Sequence, residues 1–257
     1  MGNYIKSECY RLICSKWIYV MGGVLAALAF LYNLVSYLFY IHTPDFRYGT
    51  TSFAFSNLVA YPMLYCYAAF LIADLLWEAD TRNGTHGNSI SWGIPRTGIF
   101  LGKCVVGILA SLILLAVTIT VFAVSSLLLL EHGGPTRLQD LLMEIPAVSL
   151  IAISSFLLSV LVLELFDRMI VSLLTWLSVM VVIPRILFFL GMKIHALMPV
   201  ALWMPENFFS VEMSVNMSRC ITLWSSPEGM AKCLISGAVG ILLFGAAGIC
   251  LAEKKEL

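Results

Sequence analysis

The sequence predicts an all-α polytopic membrane protein, and three observations carry that prediction. Of its 257 residues, 60% are hydrophobic and only 12% are charged, with a mean hydropathy of +0.94. An ordinary soluble domain carries about twice that share of charge and could not hide so much apolar surface from water. Second, six segments approach or exceed the roughly 20 apolar residues a helix needs to cross a bilayer: 17–41, 54–77, 104–130, 145–166, 169–192 and 233–252. Third, the alternating pattern of a membrane barrel is absent, so helices must satisfy the backbone within each span.

Charge sets the expected orientation. An even number of spans puts both termini on one side. That side holds Lys6, Arg11, Lys16, Arg82, Arg96, Lys103, Arg168, Lys254 and Lys255. The opposite side holds Arg47, Arg137, Lys193, Arg219 and Lys232. The excess of basic residues predicts cytoplasmic termini. Zero formal net charge leaves no basic field for nucleic acid, so no nucleic-acid partner is expected.

Ahead of the first span, residues 3–16 place Ile5, Cys9, Leu12 and Ile13 at helical spacing, with Ser7, Arg11 and Ser15 opposite. The pattern predicts an interfacial helix on the inner leaflet; the plainer alternative is an extension of the first span. The links 42–53 and 131–144 are too short to be domains, and the Asp167-Arg168 turn predicts a hairpin of spans four and five. Residues 193–232 form the longest outer segment. Its apolar stretch is broken by Pro199 and Pro205, while Trp203, Phe208, Phe209 and Trp224 suit a lipid–water boundary. Re-entrant short helices fit this composition. No internal repeat of the kind secondary transporters carry is visible. The seven cysteines form no CxxC pair and read as small apolar residues; no metal site is expected. No cleavable signal peptide is read at the start, and Lys6 stands where a myristoylation signal wants Ser or Thr.

The segment 78–103 admits three readings. A phosphate cradle fails on spacing, because Thr97 stands five residues before Gly102 and Cys104 follows Lys103. A flexible loop accounts for Gly84, Gly87, Gly93 and Pro95, with Arg96 and Lys103 marking the boundary. Pro95 favours a helix start there, which sets Arg96 at the positive end of the helix dipole and Lys103 on the same face. A docking element is the third reading: Thr85 caps a short helix over about 85–90 and Gly93 ends it, with Glu78, Asp80, Arg82, Asn83, His86 and Ser89 on its polar surface.

The order Glu78, Asp80, Asn83-Gly84-Thr85, Gly93-Ile94-Pro95-Arg96 and Gly102-Lys103 resembles the membrane subunits of type-2 ABC (ATP-binding-cassette) exporters. Pro95 stands where Ser is common in them. The basic, acidic and basic order in KSECYRLICSKW, the six spans and the proline-broken segment before the last one extend the resemblance along the whole chain. The resemblance implies a multi-pass permease in the cytoplasmic (plasma) membrane of a bacterium. It would pair with a second permease subunit, identical or homologous. It would dock a separate cytoplasmic ATPase through a cytoplasmic coupling helix at 83–91. ATP and Mg would then belong to that partner, with no cofactor and no catalytic site in this chain. Compact members of the family move peptides, antibiotics or lipids, and many protect bacteria from antimicrobial peptides.

Polar residues inside the spans are the other candidates, as pathway or gate. Asp74 and Glu164 lie within about a turn of the cytoplasmic ends, where they reach water or, facing inward, pair with Arg82, Arg96 or Arg168. Arg185 follows Pro184, whose missing N–H frees a carbonyl; arginine satisfies it or binds a carboxylate. Asn33 fits a hydrogen bond between helices, with cargo contact as its alternative. Trp203 and Glu206 in the outer segment complete the set. The glycines at 22–23, 237–240 and 245–248 predict close helix packing against a surface the sequence does not name. Competing readings are a proton- or ion-coupled transporter using Asp74, Glu164 and Arg185, and an adaptor that moves nothing. An intramembrane hydrolase lacks an HExxH or GxSx sequence within a span.

Overall fold

The computed structural model of the chain describes residues 2–43, 46–83, 95–166 and 168–254, apart from the side chains of 78–83 and of Arg96. It is mostly helical. Among the described residues, five helices are long and apolar enough to cross a membrane, and six if one bent pair counts as a single span.

Helix α1 (Gly2–Cys14) buries Tyr4 and Glu8 and keeps most of its other residues outward. Its seat is α5 (Arg96–Leu129): a Cβ at Gly102 would lie 2.6 Å from the Tyr4 ring, so only glycine leaves room there. Helix α2 (Lys16–His42) is the most exposed long helix, with 6% of its most apolar stretch buried and Asn33 its one fully enclosed residue. A helix whose apolar side chains point outward along its length has lipid or another membrane protein as its solvent.

The second expected span, 54–77, is not one straight helix. It is α3 (Thr51–Val59) and α4 (Met63–Asn83), bent by 66°. Pro62 is the cause. It has no N–H to give to the Leu58 carbonyl, which takes the Tyr61 N–H instead at 3.0 Å, and a new helix starts beyond it. Thr50 caps α3 through its hydroxyl, 3.3 Å from the Phe53 N–H. The same end of α3 is tied to the link after α5. Thr51 donates to the Glu131 carbonyl at 2.9 Å, Thr136 donates to the Ser52 hydroxyl at 3.0 Å, and Gly134 turns at φ +104° against Ser52.

Helix α6 (Leu138–Leu165) starts seven residues before the expected span. Asp140 closes its start by accepting the Arg137 N–H at 2.8 Å on its side chain. This is the central helix: 61% of its most apolar stretch is buried. Leu141, Glu144, Val148, Ile151, Ser155, Leu158 and Val162 recur at three- and four-residue steps along its hidden face. On one side α4 and α7 (Met169–Leu177) close over it. Trp176 is fully buried there, donates to Ser155 at 3.2 Å and meets the rings of Tyr67 and Phe70. On the other side lies α11 (Pro227–Lys254). A Cβ at Gly237 would meet Leu150 at 2.5 Å, one at Gly240 would meet Ser154 at 2.8 Å, and one at Gly248 would strike Phe100 of α5 at 2.1 Å. The glycine stripe of the last span therefore packs within the chain, on α6 and α5.

The fifth span changes winding in mid-course. Between α7 and α8 (Ile183–Gly191) the turn Ser178–Val182 is a π-helix, where the Ile183 N–H reaches back to Ser178. Pro184 follows at once, so the local loss of regular hydrogen bonding has a covalent origin. The segment before α11 is built of short pieces: a 3₁₀ turn His195–Leu197, α9 (Met198–Leu202), α10 (Pro205–Glu212), a hairpin of β1 (Ser214–Asn216) and β2 (Arg219–Ile221), and a 3₁₀ turn Leu223–Ser225. The sequence reading did not foresee the hairpin. Its turn is made by the Asn216 side chain, which accepts from the Ser218 and Arg219 N–H groups at 3.0 and 2.8 Å. Trp224 ties the segment to the head of α6 by donating to the Asp140 carbonyl at 2.9 Å.

Candidate functional site

Among the described residues, two polar centres and a cavity stand out inside this bundle. The first centre joins two of the residues singled out from sequence. Arg185 on α8 places Nε and Nη2 at 2.9 and 2.6 Å from the same oxygen of Glu206 on α10. Glu206 is buried and the arginine is largely exposed. The next residue, Asn207, is buried and donates to the Pro184 and Ala201 carbonyls, both at 2.8 Å. The arginine thus takes the carboxylate, and the asparagine serves the backbone beside the proline. Together they fasten α10 to the irregular part of the fifth span. Trp203, at the end of α9, is partly exposed; its carbonyl accepts from Ser236 on α11 at 3.3 Å, and Lys232 stands 5.9 Å from its ring.

The second centre is Glu144 on α6, a residue that the apolar pattern alone places at the end of the link 131–144. It is wholly inaccessible, and neither carboxyl oxygen closes a hydrogen bond. The Tyr65 hydroxyl on α4 is the polar group that interacts with it, and it is buried as well. A buried carboxyl normally stands against a cation or several donors, because water has been removed from it. The spacing of Glu144 from Leu141, Val148 and Ile151 was the signal that could have shown its inward face.

The cavity lies between α2, α3, α4, α5 and α6 and measures about 460 Å³. Its walls are largely apolar, including Ala69, Ile72, Ile108 and Phe156. Tyr65 is part of the wall, and its hydroxyl is buried away from the open space. Asn33 stands nearby on α2, enclosed, and donates to Ser125 at 2.7 Å and to the Phe122 carbonyl at 3.0 Å. This is the interhelical bond expected of it, joining α2 to α5.

The remaining candidates gather at the other end of the bundle or fall outside the described residues. Lys103 lies over the Trp77 ring, 4.2 Å from its centre, near Glu8 and Arg11 of α1 in a small cleft. Glu8 and Arg11 are paired at 2.5 Å. Asp74 and Glu164 are both engaged with neighbours. The Gly-Lys pair at 102–103 therefore has a local explanation: glycine admits Tyr4 and lysine covers Trp77. Glu78, Asp80, Arg82 and Asn83 belong to the last turns of α4 and Arg96 begins α5, but their side chains lie outside what is described. Gly84, Thr85, His86, Ser89 and Gly93 lie outside it altogether, as does the expected coupling helix.

Among the described residues no cluster of His, Cys, Asp or Glu could hold a metal ion. Cys220 in the hairpin has its thiol pushed up by burial, which keeps it a weak nucleophile near neutral pH. The long apolar helices support a multi-pass membrane protein. In comparison with known proteins, the chain matches no family model, no curated protein and no solved structure.

Proposed function

We propose that the chain is the permease half of an ATP-driven exporter. Two copies, or one copy and a homologue, would form the path, and a separate cytoplasmic ATPase would supply the work. The observation that carries the reading is the order of motifs between the second and third spans, Glu78, Asp80, Asn83-Gly84-Thr85, Gly93-Ile94-Pro95-Arg96 and Gly102-Lys103. The element order supports it: an amphipathic helix seated on α5, six candidate spans counting the bent pair, and a segment of short helices before the last span. In this reading the termini face the cytoplasm, ATPase closure pushes the 83–91 elements together, and the spans tilt between two states. The short helices α9 and α10 would dip into the outer half of the membrane. An antimicrobial peptide, antibiotic or lipid is the proposed cargo class, with a role in resistance.

The test is copurification of the chain from its own membranes in mild detergent. A soluble ATPase with a Walker motif is expected in stoichiometric amount. Gly84→Pro should abolish cargo-stimulated ATP hydrolysis while membrane insertion stays normal. Unchanged stimulation in that variant would count against coupling through this segment. The buried Glu144 favours one second reading, a proton-coupled carrier. Flux that survives ATP depletion and collapses with the proton gradient would select it.

A further inference from the structure

Three connections meet at one end of the bundle and frame an open pocket of about 340 Å³, within the roughly 300–1,000 Å³ typical of small-ligand sites. The link from α2 to α3 contributes Arg47, the link from α5 to α6 contributes Glu131 and His132, and the turn of the hairpin contributes Met217. The two links are bonded side by side. Glu131 donates its N–H to the Gly49 carbonyl at 3.1 Å, and its own carbonyl accepts the Thr51 N–H at 2.9 Å. Behind them Ser52 is buried, accepts the Thr136 N–H at 3.0 Å and has Gly134 packed against it.

Opposite charges open into this frame. Arg47, Glu131 and His132 are all exposed and all line the pocket. Arg47 and Glu131 do not pair with each other, and among the described residues neither has another ion-pair partner. Glu131 places Oε2 on the Tyr40 hydroxyl at 3.0 Å, which leaves Oε1 for another donor. Aromatic side chains fix the level at which the pocket stands. Phe39, Tyr40 and Tyr48 are exposed beside it. The rings of Phe39, Phe46, Tyr48 and Phe53 follow one another with centres 5.9, 5.4 and 4.9 Å apart, and Phe53 is part of the wall. Exposed tyrosines at the end of a membrane helix mark the headgroup layer. The ligand within reach of such a pocket is a lipid head.

The two charges choose which head. A purely anionic one finds Arg47 but brings like charge to Glu131. A choline head carries no N–H to give the carboxylate. A phosphoethanolamine head matches both: its phosphate accepts from Arg47 and His132, and its ammonium donates to Glu131.

We propose that this pocket holds the phosphoethanolamine headgroup of a membrane lipid, with the phosphate at Arg47 and His132 and the ammonium at Glu131. Neither an ATPase nor cargo enters that interaction, so it is decided apart from the exporter reading.

The experiment is native mass spectrometry of the full chain released from mild detergent and titrated with dioleoyl phosphatidylethanolamine, phosphatidylglycerol or phosphatidylcholine. The ethanolamine lipid should bind at least about fivefold more tightly than either of the others. Glu131→Gln keeps the backbone bonds of the frame and an acceptor for Tyr40, and it should bring the ethanolamine and glycerol lipids within about twofold of each other. Arg47→Gln should weaken both, while Arg219→Gln, on the hairpin but outside the pocket, should change neither. A Cβ at Gly133 meets nothing, so Gly133→Trp fills the pocket without pressing on the frame and should abolish the preference. Equal binding of the three lipids to the unaltered chain would overturn the proposal. So would a preference that survives Glu131→Gln or Gly133→Trp, or a loss in Arg47→Gln that Arg219→Gln reproduces. Glycerophosphoethanolamine, the same head without acyl chains, should displace the lipid only in large excess. Displacement at equal concentration would make the ligand a free solute and overturn the assignment to a lipid.

Discussion

Glu206 and Glu144 are both enclosed carboxyl groups, yet the chain treats them in opposite ways. Glu206 receives two nitrogens of Arg185 on one oxygen, and its neighbour Asn207 satisfies two backbone carbonyls. Among the described residues Glu144 pairs with no cation, and the group that interacts with it is the neutral Tyr65 hydroxyl. Burial alone therefore says little about what an acidic side chain does. Glu206 belongs to a clamp that sets short helices against a proline-disturbed span. Glu144 is held in place by the packing of α6, and no ion pair among the described residues draws on it. A clamp should fail when a partner is removed; a carboxyl outside any ion pair should be dispensable to the fold.

The largest effect is therefore expected at Arg185. Arg185→Ala leaves Glu206 buried without its cation. Breaking a buried pair costs about 3–5 kcal/mol, and the exposed guanidinium lowers the expected loss to about 2–3 kcal/mol. Chemical unfolding in detergent measures it, and Arg185→Met with Glu206→Met should recover most of the loss. Next comes Asn207→Ala, which orphans the Pro184 and Ala201 carbonyls. A loss of about 2 kcal/mol is expected by the same measurement, since each unsatisfied buried group costs roughly 1–3 kcal/mol. A loss confined to Asn207, with Arg185→Ala silent, would show that the backbone bonds alone make the clamp.

The difference between the two acids was only half legible in the sequence. Arg185 announced itself as a charge beside a proline in an apolar run, and its appetite for a carboxylate followed. Its partner did not, because Glu206 reaches it only through the fold of α9 and α10. Glu144 is hidden from a count of apolar residues: Asp140 and Glu144 cut the run short, so composition places the span at 145 and its first turns in a link. The residue steps from Leu141 through Glu144 to Val148 and Ile151 carried the helical period all the same. The same counting missed Pro62, which subtracts little hydropathy from the run 54–77 but removes the N–H that would keep it straight. The glycines foretold close packing, and only the tertiary arrangement could name α6 and α5 as the surfaces. Long apolar helices are legible because lipid imposes a length and a composition. Bends and pairings between distant residues follow no such local pattern.

A third acid calibrates the scale. Glu212 pairs with Lys232 at a partly exposed position. Glu212→Ala should cost about 0.2–1 kcal/mol, and added salt should shrink that further, because water and ions compete for both partners. A salt-insensitive loss as large as that of Arg185→Ala would make this pair a second clamp at the foot of α11.

The smallest effect on folding is expected where burial is most complete. Glu144→Gln keeps the volume of the side chain, so α6 should pack against α3 and α4 as before. It replaces a carboxyl that no bond satisfies with a neutral amide, whose desolvation is cheaper than that of an ionised group. The unfolding free energy should stay the same or rise, by zero to about 1 kcal/mol. A loss of about 2 kcal/mol or more would place Glu144 beside Glu206 as an anchor of the fold and erase the contrast between them.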